Sequence, residues 1–82
     1  MRQVLTQSSQ VGRLIAGRRK AAKISQRMLA AKLTISQNRL SELEENPGKL
    51  TLDRLLAIAN LLGLELVIKE KTAADDRLAA EW

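Results

Sequence analysis

The chain contains neither cysteine nor histidine. Without cysteine it can form neither a disulfide nor a thiolate metal site, and a reducing compartment is compatible with the sequence. The most common general base and the thiol nucleophile are both missing as well. The hydroxyls of Ser25, Ser36 and Ser41 are better explained as helix caps or polar surface than as nucleophiles. We therefore expect no enzymatic activity, no cofactor and no metal site.

Glycine-rich loops and long apolar runs are also missing. The four glycines, Gly12, Gly17, Gly48 and Gly63, match neither spacing of the nucleotide-binding motifs. The most apolar stretch, residues 55–68, is interrupted by polar residues and is too short to span a bilayer. The N-terminal sequence MRQVLTQSSQ lacks the apolar core of a signal peptide. These features predict a cytoplasmic protein with no membrane partner.

Positive charge is what the chain has in excess. Its 82 residues carry a net charge of +5, and the calculated pI is about 10.3. Such a balance is typical of nucleic-acid-binding domains. Residues 1–71 carry 13 basic and 6 acidic side chains, whereas residues 72–82 carry one basic and three acidic. The basic body and acidic tail suggest two surfaces with two partners, although an acidic tail is often only a solvated segment.

The stretch SQRMLAAKLTISQNRLSELEENP, residues 25–47, has the pattern of a helix-turn-helix. Ser25 and Ser36 are placed to cap two short helices, because a serine hydroxyl can accept a hydrogen bond from a free backbone N–H. Ala30 is the small residue where these helices approach closely. The apolar contacts between them are expected from Leu33, Ile35, Leu40 and Leu43. Two short helices joined by a tight turn read the major groove of DNA.

Helices are also predicted on both sides of this motif, so the fold class is all-α, a bundle of four to five helices. Residues 1–9 form a polar N-terminal arm, and Ser9 can cap a first helix that runs to about Ala22. Thr51 caps a last helix, which ends at Gly63. Residues 10–63 therefore make up the DNA-binding domain.

After Gly63 the apolar period changes from 3.6 to 2, which predicts one β-strand over residues 64–71. A lone strand cannot satisfy its backbone groups, so we expect it to pair with the same strand of a second copy. The residues expected at this homodimer contact are Leu64, Leu66, Val67 and Ile68. The alternative is a last helix that continues to about Lys71. Residues 72–82 are predicted to be a flexible tail.

The DNA contacts are predicted from position and side-chain chemistry. Base edges can be reached from the start of the third helix, where Gln and Asn suit adenine and Arg suits guanine. The candidates for base readout are Ser36, Gln37, Asn38, Arg39 and Ser41. Phosphate contacts need only charge and reach. The basic candidates are Arg18, Arg19, Lys23, Arg27, Lys32 and Lys49, and the alternative for each is a merely solvated side chain.

Acidic residues in the second half of the third helix limit how it can bind. Glu42, Glu44 and Glu45 would be repelled by phosphates. We therefore expect only the N-terminal half of this helix to enter the groove.

The helix-turn-helix stretch, together with the following TLDRLLAIANLLGLEL, resembles Xre/Cro-type, lambda-repressor-like helix-turn-helix proteins. The ENP ending, the LxLELVI segment and the final Glu81-Trp82 are similar to the HipB antitoxins of HipA kinase modules. This resemblance implies that Gln26 clamps the DNA backbone and that Trp82 contacts the kinase. From chemistry alone, Gln26 could be a second cap beside Ser25, and Trp82 could fold back over the dimer strand or be disordered.

The sequence departs from the family at the turn after the second helix. The family usually has glycine there, and this chain has Thr34. A β-branched residue tolerates positive φ poorly, so we expect a slightly reshaped turn.

These features together predict a dimeric, sequence-specific autorepressor. It would bind double-stranded operator DNA at an inverted repeat with half-sites ~34 Å apart, or a multiple of that distance. The HipB resemblance implies that it also neutralises a HipA-like serine/threonine kinase toxin. The alternatives are a stand-alone Xre-family regulator and a kinase-binding inhibitor with weak DNA binding.

Overall fold

The computed structural model describes residues 1–71, and this part of the chain folds into four α-helices. Helix α1 spans Ser8–Ala21, α2 spans Gln26–Leu33, α3 spans Gln37–Glu45 and α4 spans Leu52–Leu61, with a 3-10 turn at Pro47–Lys49 between the last two. The prediction of an all-α helix-turn-helix bundle is confirmed for these residues. None of these helices is long and apolar enough to cross a membrane.

The predicted N-caps of α2, α3 and α4 are confirmed. In each case the hydroxyl oxygen of the cap accepts a hydrogen bond from the backbone N–H three residues later, at 3.0–3.1 Å. The three caps are Ser25, Ser36 and Thr51. The expected cap at Ser9 is wrong, because α1 already begins at Ser8. The N-cap of α1 is Gln7, whose backbone N–H donates a hydrogen bond to Oε1 of Gln10 at 3.1 Å.

The core lies where the apolar faces of the four helices meet. Leu29, Leu40 and Ile58 are completely buried. The same cluster contains Ile15, Ala30, Leu33 and Leu62. Helix α3 packs against α1 and α2, and α2 packs against α4, so these neighbours fix the position of the start of α3.

The segment after α4 differs from both sequence-based expectations. Gly63 has a φ of +71°, and the chain leaves the helix there, so a helix continuing to Lys71 is wrong. No strand is formed by residues 64–71 within the described chain. A strand needs a hydrogen-bonded neighbour, and this single copy offers none among residues 1–71. The tail, residues 72–82 with Trp82, lies outside the described residues.

Candidate nucleic-acid interface

A buried ion pair joins α1 to the end of α3. The Arg19 guanidinium donates two hydrogen bonds to the Glu44 carboxylate, at 2.9 and 3.1 Å, and a third to the carbonyl oxygen of Ile24 at 3.1 Å. Arg19 is only 7% exposed. Its predicted role as a phosphate contact is therefore wrong, because its donors are used inside the fold. A two-bond pair of this kind fixes geometry as well as charge.

Gln26, at the start of α2, joins the same network. Its Nε2 donates a hydrogen bond to Glu44 Oε1 at 3.1 Å. The cap of α2 is Ser25 alone, so Gln26 is not a second capping residue. An amide nitrogen has two N–H groups, and the second can still donate to a ligand. Glu44 thus aligns the side chain that the family resemblance assigns to the DNA backbone.

The helices α1 and α3 also approach each other closely at Gly12, which is buried. A Cβ atom at this position would overlap the backbone carbonyl oxygen of Glu44. The side chain of Pro47 lies near the same point, at 3.2 Å from that Cβ position. Only a residue without a side chain lets α1 and α3 lie this close together.

The turn between α2 and α3 is built around Thr34, which takes the left-handed conformation with φ 57° and ψ 40°. Its Oγ1 donates a hydrogen bond to the carbonyl oxygen of Leu33 at 2.6 Å. The same carbonyl accepts a second bond from Nη1 of Arg54, on α4, at 3.0 Å. Threonine thus occupies a conformation that glycine adopts more easily, and two hydrogen bonds hold the turn in place.

The start of α3 presents four consecutive exposed side chains, Ser36, Gln37, Asn38 and Arg39. Ser41, the fifth candidate for base readout, is half-buried. Because Leu40 and Leu43 are buried, the helical period places Asn38 and Glu42 on the opposite, outward side. The outward side of α3 thus carries an amide near its start and a carboxylate one turn later.

Glu42 makes ion pairs with two of the predicted DNA contacts. Its Oε1 lies 3.1 Å from Nη1 of Arg39 and 2.9 Å from Nζ of Lys49. The hydrogen bond and charge of Lys49, followed by those of Arg39, lower the pKa of Glu42. Both cations stay accessible, since their side chains are 45% and 53% exposed.

The remaining predicted phosphate contacts fall into two groups. Arg18 is exposed, but its Nε donates a hydrogen bond to the carbonyl oxygen of Leu62 at 3.1 Å, which ties α1 to the end of α4. Lys23, Arg27 and Lys32 are exposed and take part in no ion pair among residues 1–71. These three side chains lie on or beside α2 and remain phosphate candidates.

Sequence reasoning missed the positioning residues of this site. Glu44 was expected only to repel phosphate, and Arg54 was assigned no role. Both act through partners more than 15 residues away, Arg19 and Leu33, and no local pattern predicts such a pair. The carboxylate of Glu42 and its neighbour Arg39 are three residues apart, a spacing that does favour an ion pair on a helix.

Comparison with known proteins agrees with this geometry. Residues 15–68 match the helix-turn-helix family HTH_3, which covers more than half of the chain and includes α2, the turn and α3. No curated protein matches the chain. The chain belongs to the Xre-type helix-turn-helix family and is a DNA-binding transcriptional regulator.

Proposed function

We propose that this protein is a sequence-specific repressor that inserts the N-terminal half of α3 into the major groove of its operator. The observation that carries the proposal is the run of exposed polar side chains at Ser36–Arg39, at the capped start of a helix. Amide and guanidinium groups of this kind can each form two hydrogen bonds with a base edge. The base contacts are assigned to Gln37, Asn38 and Arg39, with Ser36 and Ser41 beside them.

Phosphates on either side of the groove anchor the domain. Helix N-termini carry free N–H groups and a partial positive charge, so the starts of α2 and α3 favour phosphate. Gln26 donates its second N–H to the backbone from the start of α2. The accessible cations Lys23, Arg27 and Lys32 add sequence-independent contacts.

Two copies bind together, joined through residues 64–71. The support for this step is the exposure of apolar side chains in the segment: Leu66 is 46% exposed, Val67 is 73% exposed and Ile68 is fully exposed. Pairing with the same segment of a second copy would cover these groups and complete a two-stranded ladder. The operator is then an inverted repeat, with half-sites one helical turn or a multiple of it apart.

An antitoxin role is a second part of the proposal, and it rests on the resemblance to HipB alone. In this role the tail, with Trp82, binds a HipA-like kinase. Co-purification with a kinase encoded next to this gene tests it, using the full chain and Trp82→Ala. Loss of the complex in the variant supports the role, whereas an undiminished complex removes Trp82 from it. The absence of a kinase gene next to this one would favour a stand-alone regulator instead.

Base reading is tested by gel shift with the chain's own promoter fragment and a scrambled fragment at two salt concentrations. The wild-type protein should retain the promoter at the higher salt and release the scrambled DNA. Gln37→Ala should lower promoter affinity about 5- to 150-fold, the value of one two-bond base contact, and leave scrambled binding unchanged. Asn60→Ala, an exposed amide on α4, is the matched control. Equal losses on both fragments would remove Gln37 from base readout.

A further inference from the structure

Glu42 holds two cations at the proposed DNA surface with a single oxygen atom. Its Oε1 accepts a hydrogen bond from Lys49, in the 3-10 turn that follows α3, and forms an ion pair with Arg39, on the same helix. Both partners were predicted to contact DNA, one at a base and one at a phosphate. Glu42 therefore determines where these two positive charges lie before DNA arrives.

The position of Glu42 makes this pairing relevant to binding. Leu40 and Leu43 turn one side of α3 into the core, so Glu42 lies on the opposite side, one turn after Asn38. A free carboxylate there would face phosphates and repel them. With both cations attached, the local charge is +1, and neither cation reaches a phosphate without leaving Glu42 or bringing the carboxylate with it.

We propose that Glu42 is a specificity-determining residue that restrains Arg39 and Lys49 and so weakens binding to arbitrary DNA. The inference rests on the proposed docking of α3 in the major groove. On arbitrary DNA, favourable binding free energy comes only from cations that neutralise phosphates. This gain is offset because the ion pairs with Glu42 must break and its carboxylate is left beside phosphates. On the operator, Gln37 and Asn38 can make base contacts without breaking either ion pair, so the cost of releasing the cations falls more heavily on arbitrary DNA. Glu42 thus widens the ratio between the two affinities.

The chain provides a matched control for the charge of Glu42. Glu45 lies on the same helix, is exposed, and takes part in no ion pair among residues 1–71. Glu42→Gln and Glu45→Gln remove the same formal charge near the same helix end. Only the first releases two cations, so the difference between the variants measures the restraint.

The experiment measures the affinity of wild-type protein and both variants for the promoter fragment and a scrambled duplex over a range of salt concentrations. Glu42→Gln should bind the scrambled duplex about fivefold more tightly than Glu45→Gln does, the equivalent of one exposed ion pair. For Glu42→Gln, the slope of log affinity against log salt concentration should steepen by about 0.9 for each cation freed, up to about 1.8 for both. Promoter affinity should rise less, so that the promoter-to-scrambled ratio falls.

A further variant assigns the effect to the released cations. Combining Glu42→Gln with Lys49→Met should remove about 0.9 of the added slope, because one freed charge is lost. Identical affinities and slopes for Glu42→Gln and Glu45→Gln would overturn the inference and leave the repressor function standing. Weaker binding of Glu42→Gln to the promoter would also overturn it, since Glu42 would then contribute a contact. A wild-type protein that prefers neither fragment would contradict the proposed function itself, while the comparison on scrambled DNA would still decide the role of Glu42.

Discussion

Glu44, at the end of α3, and Arg19, in α1, form a bidentate ion pair whose side chains are each only 8% exposed. The pair connects the helix that would enter DNA to a helix that would not. Breaking such a pair by removing one partner leaves a buried charge without compensation. The orientation of α3 and the stability of the domain therefore depend on the same two side chains.

The first prediction concerns this pair. Arg19→Met should lower the free energy of unfolding by about 3 kcal/mol or more, because Glu44 stays buried without its main partner. Urea unfolding followed by circular dichroism measures the change. Arg13→Met, an exposed position on the same helix, is the control and should change stability little. If Arg19→Met lowered the free energy of unfolding no more than Arg13→Met does, a structural role for the Arg19–Glu44 pair would be contradicted.

A second prediction uses two glycines of α1. Gly12→Ala should destabilise the domain by about 1–3 kcal/mol, since its Cβ would meet the backbone of Glu44 and force α1 away from α3. Gly17→Ala should instead stabilise it by up to about 1 kcal/mol, because nothing lies within 4 Å of the added Cβ and alanine favours a helix. Thermal unfolding of both variants checks the opposite signs. Equal effects would show that the close contact at Gly12 does not matter.

The turn residue Thr34 gives a third prediction. Thr34→Gly should raise stability by about 1 kcal/mol, because glycine removes the steric cost of the left-handed conformation. The lost hydrogen bond to Leu33 limits the gain, although Arg54 still donates to the same carbonyl. Ala57→Gly, in an exposed helical position, should lower stability by a similar amount. A Tm that falls in both variants would mean that the threonine hydroxyl outweighs the strain of the turn.

The pH dependence of stability follows from Glu42. Its pKa is lowered in the folded state by Lys49 and then Arg39, so the unfolded chain takes up a proton at a higher pH than the folded one. The stabilisation is therefore complete above the unfolded pKa of a glutamate and is lost as the pH falls through the lowered, folded value. The stability difference between wild type and Glu42→Gln should shrink over this acidic range. Denaturant unfolding at pH 7 and at successively lower pH measures it, and a constant difference would contradict the pairing.

The parts of the fold that local chemistry determines could be predicted from the sequence. Ser25, Ser36 and Thr51 act as caps through atoms three residues away, and Gly63 ends α4 through its own backbone freedom. The exposed start of α3 follows equally from the spacing of Leu40 and Leu43. Arg19 was wrongly predicted to contact phosphate because its partner Glu44 lies 25 residues along the chain. The sequence around a basic side chain does not show whether that side chain is buried. The strand predicted for residues 64–71 is not formed, and no segment among residues 1–71 pairs with it, because alternating apolar residues do not by themselves provide a hydrogen-bonded neighbour.

The hydrogen bond from Arg54 to the carbonyl of Leu33 would link the two proposed binding events, the docking of a partner at residues 64–71 and the binding of DNA by α3. Arg54 lies on α4, which precedes residues 64–71, and Leu33 is the last residue of α2, next to the turn before α3. A partner that displaces α4 on docking therefore also changes the free energy of holding α3 in place. Thermodynamic linkage makes such an effect mutual: DNA would then alter the affinity for that partner by the same factor as the partner alters the affinity for DNA.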